Sequence, residues 1–81
     1  MPSQPYKEGL LMEHYTTTHR NILYVAEIAE GVYGGYNLVI TKTRTSGKSK
    51  VCYTQHCNSH FDAMIEMDEY LSDAKWEAKN E

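Results

Sequence analysis

The residues best suited to chemistry are Cys52-x3-His56-Cys57-x2-His60, because thiolate and imidazole are the ligands zinc prefers. Extended chain rises ~3.3 Å per residue and alternates its side chains, which sets Cys52 and His56 on one strand face but roughly 13 Å apart, too far to share an ion held at ~2.0–2.3 Å. Cys57 and His60, with His14 or His19 brought in by folding, are the remaining candidates. The expectation is nonetheless no metal and no cofactor, with Cys52 buried and polar residues around a helix start. A thiol near a helix N-terminus gains nucleophilicity through a lowered pKa, so Cys57 with His56 or His60 also suggests covalent catalysis. No third orienting group or oxyanion loop accompanies the pair, and the chain is expected not to be an enzyme. Cys52 and Cys57 lie roughly 16 Å apart when extended, beyond disulfide reach, so both are expected as free thiols in a reducing cytoplasm.

Charge is the second resource. Lys42, Arg44, Lys48 and Lys50 occupy a stretch without acids, interleaved with Thr and Ser hydroxyls, which are donors that grip phosphate oxygens. Alternate strand residues share a face, so Lys42 and Arg44 project together and, with Lys48 and Lys50, can track a nucleic-acid backbone. Residues 61–81 carry seven acids against Lys75 and Lys79. Asp62, Glu66, Glu69 and Asp73, at i, i+4, i+7 and i+11, form one carboxylate stripe on a helix. Such a stripe imitates phosphates and fits a basic groove on a partner protein, although a solvated face explains it equally well. Seven tyrosines are present, and Tyr33 and Tyr36 flank a glycine-rich turn where they suit a protein interface. Gly31, Gly34 and Gly35 make no phosphate loop, and Ser46-Gly47-Lys48-Ser49 joins two strands instead of opening a helix.

The elements that position these groups follow from pattern. Residues 1–9 hold both prolines and are expected as a flexible tail ahead of one domain spanning 10–81. Residues 10–19 read ambiguously: Leu10, Leu11 and Met12 suggest a short helix, while the three threonines before His19 favour a strand. Ile22–Ile28 is β-branched and aromatic, and the glycines at 31–35 break it. From Tyr36 to Thr45 the chain alternates, with Tyr36, Leu38 and Ile40 on one face. Ser46-Gly47 reads as a hairpin turn and Val51–His56 as a third strand. Ser59 caps a helix over 60–78, with Phe61, Met64, Ile65, Met67, Leu71 and Ala74 on its apolar half. The expected fold is α+β: a three-stranded antiparallel meander packed by one C-terminal helix, βββα, with a further short N-terminal element allowed.

At 81 residues, the formal charge of −3 argues against a simple polycationic nucleic-acid or membrane binder. No basic-then-apolar leader or long apolar run is present, and the expected location is cytoplasmic without membrane attachment, the host cytoplasm for a phage-encoded chain. The strand, Arg44-Thr-Ser-Gly-Lys turn, strand and helix between Tyr36 and Leu71 resemble the βββα modules of integrase arm-binding and AP2-type DNA-binding domains. In those modules a three-stranded sheet enters the major groove. The whole chain is similar in architecture to the small, acidic, single-domain anti-CRISPR proteins of phages and mobile elements. That resemblance implies a non-enzymatic inhibitor binding a host CRISPR effector through Asp62, Glu66, Glu69, Asp73, Tyr33 and Tyr36. The alternative expectation is a nucleic-acid-binding module using Lys42, Arg44, Lys48 and Lys50. A free edge strand also allows a homodimer.

Overall fold

A computed structural model of the chain describes residues 11–79. The expected tail 1–9 lies outside the described residues. Strand β1 (Met12–His19) runs into β2 (Ile22–Glu30), β3 (Tyr36–Thr43) and β4 (Ser49–Cys57), followed by helix α1 (His60–Tyr70) and the two-residue β5 (Glu77–Ala78). All neighbours pair antiparallel, in the order β4-β3-β2-β1-β5.

Five strands replace the expected three-stranded βββα meander. The ambiguous 10–19 stretch contributes a full strand, because Met12–His19 pairs with Ile22–Ala29 along its whole length. Its alternation is hidden in the sequence, since both faces of β1 are largely polar. The β1–β2 turn is tight, with Arg20 and Asn21 both at positive φ (54° and 67°), the geometry that matches the twist of a two-residue hairpin. The helix ends at Tyr70, eight residues short of the expected 78. Its last turn contains Asp68 and Glu69 but no cation to complement the C-terminal dipole, and Leu71 leaves the helix at φ −132°, ψ 82°. The chain then folds back. The Trp76 indole N–H donates to the Met67 carbonyl at 3.2 Å, and Lys79 N donates to His14 O at 2.8 Å as β5 covers the outer edge of β1.

Helix α1 begins as read: the Ser59 side chain accepts from Asp62 N at 3.1 Å. The helix packs on one face of the sheet. Ala26, Ile28, Leu38, Ile40, Cys57, Ala63 and Met67 form the buried core there. The apolar half of the helix is therefore rotated from expectation. Ala63 and Met67 are its buried residues, while Phe61 is 71% exposed. The opposite face of the sheet has no covering element among the described residues. Alternation assigns to it Thr16, Thr18, Val25, Val39, Thr41 and Thr54, together with the exposed Leu23 and Val51.

A bulge interrupts β4. Ile40 pairs with Tyr53 but Thr41 pairs with Val51, so Cys52 is an extra residue. It turns Cys52 onto the helix side, where the thiol donates to the Ile40 carbonyl at 3.4 Å, while His56 stays on the open face. Cys52 and His56 do not share a face, contrary to the unbroken alternation expected of this strand.

Candidate functional site

The register places the β1–β2 turn and the β3–β4 turn at the same end of the sheet, because Thr18, Leu23, Thr43 and Ser49 form one cross-strand row just before them. With strands about 4.8 Å apart, the two hairpin centres lie roughly 10 Å from each other. Lys42 and Lys50 face each other directly across β3 and β4, beside Tyr24. Arg44 and Lys48 flank the next turn, held by Arg44 N donating to Lys48 O at 3.0 Å. The β1–β2 turn adds Arg20 to the same end. Five cations thus converge, and all except the half-buried Lys42 are exposed. Among the described residues none of them is ion-paired: the salt bridges are His14 with Glu27 and His60 with Glu13. From Gly31 to Phe61 the sequence contains no acid, so β3, β4 and their turn carry only positive charges of their own. Hydroxyls border it, Thr43 and Ser49 being 2.9 Å apart.

Arg20 is absent from the sequence-derived set. Its signal was available in Arg20-Asn21, a turn pair with Asn at a position suited to positive φ, but only once Met12–His19 is taken as a strand does that turn fall beside the basic hairpin.

The acidic stripe is dispersed. Asp62 and Glu69 are exposed on α1, but Glu66 accepts from the Tyr53 hydroxyl at 2.7 Å and leans toward β4, and Asp73 lies beyond the helix end. The Glu66 bond also raises the Tyr53 pKa. Tyr33 stands fully exposed at the β2–β3 turn. Tyr36 is half-buried, edge-on to His60 with centroids 5.7 Å apart.

The Cys/His cluster is taken apart by the fold. His14 sits on the open face with Glu27, 3.2 Å away, whereas His60 caps the helix side. Among the described residues no three of His, Cys, Asp and Glu converge to hold a metal ion. Cys57 is buried, and burial followed by the nearby charges of Glu66 and Asp62 raises its pKa, the opposite of an activated nucleophile.

A different polar network ties helix to sheet. Glu13 Oε1 lies 2.7 Å from His60 Nε2 and accepts from the Tyr15 hydroxyl at 2.7 Å. The His60 bond, then the Tyr15 bond, hold the Glu13 carboxyl below its ordinary 4.5. Burial, with the Glu13 bond second, pushes the Tyr15 hydroxyl up to about 12. A carboxyl with a depressed folded pKa contributes stability that is complete above its unfolded value and is lost as pH falls through the folded value. Glu13→Gln is accordingly expected to cost about 1 kcal/mol at neutral pH, or about 5 °C in melting temperature. The gap between wild type and variant should begin to shrink as pH falls below the ordinary 4.5, read by thermal melts across pH. A gap independent of pH would show that the ionised carboxyl is not what holds the contact.

Comparison with protein-family models, curated proteins and solved structures finds no match. No helix among the described residues is long and apolar enough to cross a membrane.

Proposed function

We propose that this chain is a non-enzymatic nucleic-acid-binding module whose basic sheet end grips the phosphate backbone. One observation carries the reading: the β1–β2 turn brings Arg20 beside Lys42, Arg44, Lys48 and Lys50, and no described acid pairs with any of them. Cations on two turns about 10 Å apart present charge along a line, the arrangement a polyanion meets at several points. The Thr and Ser hydroxyls at this end add neutral donors to phosphate oxygens. Overall net charge does not decide this, since local field governs association. The free thiols of Cys52 and Cys57 suit a reducing, cytoplasmic setting.

The test is fluorescence anisotropy of labelled single-stranded DNA, duplex DNA and RNA, titrated from low to physiological salt. Binding should weaken linearly in a log–log plot with a slope of about −3.5 to −4.5 if all five cations engage, since each phosphate contact contributes about −0.7 on single strands and −0.9 on duplex. Absence of binding at low salt would overturn the reading. It would leave the second one, an anti-CRISPR-type inhibitor of a host effector protein, for which the fully exposed Tyr33 is the favouring observation.

A further inference from the structure

The two edges of the sheet are treated differently. At one edge β5 pairs with Tyr15 and Thr16 of β1, whereas at the other the outer side of the nine-residue β4 has no partner among the described residues. A bare edge presents unpaired amides and carbonyls and is a template for another strand. Two further features border this edge. Ile65, 37% exposed, lies on the part of α1 nearest β4. Ile65 lines a cleft of about 210 Å³ with Gln55, Cys57, Asp62 and Glu66, so this part of the helix overhangs β4. Charge is divided along the same edge. Lys48 and Lys50 stand at its start, and Asp62 and Glu66 beside its end.

We propose that β4 pairs antiparallel with β4 of a second copy of this chain about a two-fold axis at Thr54, forming a continuous ten-stranded sheet. The bulge makes the register work. Tyr53 then faces the partner subunit's Gln55, Cys52 is skipped, Val51 faces the partner subunit's His56 and Lys50 faces the partner subunit's Cys57. Every facing pair lies on one side of the sheet, helix side with helix side and open face with open face. Lys50 comes beside the partner subunit's Asp62 and Glu66, and the symmetric contact forms twice. A two-fold normal to the sheet keeps both helices on one face. Because α1 lies over β3 and β4, the helix axes run roughly 10–13 Å apart, with Ile65 of each copy beside the seam. The two-fold closes the assembly, leaving the two short β5 strands outermost.

Sedimentation of the full chain at about 100 μM should give a mass near twice 9.3 kDa. Ile65→Glu should weaken the dimer with an unchanged far-ultraviolet spectrum, its side chain being exposed in the single chain. Lys50→Glu should weaken the dimer about tenfold or more, and adding Asp62→Lys should restore it. The charge swap decides the matter even if the helix variant fails to fold. A monomer at this concentration, or a dimer indifferent to both sets of substitutions, would overturn the proposal.

Discussion

Reversing Arg20, Arg44 and Lys48 to glutamate together is expected to lower affinity for single-stranded nucleic acid about 100- to 1,000-fold at 50 mM salt. Each phosphate that is no longer neutralised keeps about 0.7 counterion bound, worth close to tenfold at that salt, and the introduced carboxylates add repulsion. The log–log salt slope should fall by about 2, from the five-cation value toward that of the remaining Lys42 and Lys50. All three residues are exposed turn positions outside the core, so the fold should be preserved. Lys75→Glu is the control, since Lys75 precedes β5 and lies outside the two basic hairpins. It should change affinity by less than about threefold. A loss in the control about one third as large on a logarithmic scale, in proportion to its charge change of −2 against −6, would mean binding follows net charge and not the assembled end. Among the three, Arg20 is the most informative, because its membership depends entirely on β1 being a strand.

How much of this was legible follows from where each signal resides. Ile22–Ile28, the glycine break, the Tyr36–Ile40 alternation and the Ser46-Gly47 turn are local patterns with large side chains, and they led directly to β2, β3 and the basic hairpin. Ser59 as cap was equally local. Strand β1 was obscured because Glu13, Tyr15 and Thr17 face the helix side while His14, Thr16 and Thr18 face away, leaving no hydrophobic period to read. Its stability comes from pairing with β2, a property of two segments. Strand β5 exists only because Trp76 docks under the helix and returns the chain to β1. The bulge at Cys52 is set by how β4 fits β3, and it alone separates Cys52 from His56. On the helix, a wheel identifies an apolar arc but not which sector a neighbouring sheet will cover. Ala63, small enough for close approach, was buried where Phe61 was expected. The hairpin cations could be named in advance, then, whereas Arg20 required the topology.

Ile40→Ala is expected to leave much of the protein unfolded at 37 °C. Ile40 is fully buried at the centre of β3, opposite Ala26 on β2 and Tyr53 on β4, beneath α1. Truncating such a side chain removes its transfer free energy and leaves a cavity, together costing about 2–5 kcal/mol. A domain of this size has a net stability of only about 3–5 kcal/mol, so one substitution offsets most of it. The site has little means of collapsing around the gap. Both sheet neighbours are fixed by ladder bonds, the Ile40 carbonyl also holds the Cys52 thiol, and Tyr53 is tied to Glu66. Val39, one residue away on the open face and only half-buried, is the matched comparison. Val39→Ala should cost less than about 1.5 kcal/mol, because the side chain is already in contact with water. Urea denaturation of both variants at equal protein concentration separates the two costs, and equal midpoints would mean that α1 does not seal this face of the sheet. If β4 pairs across two copies, the Ile40→Ala deficit should also shrink as concentration rises, since dimerisation adds stability to the folded state by mass action.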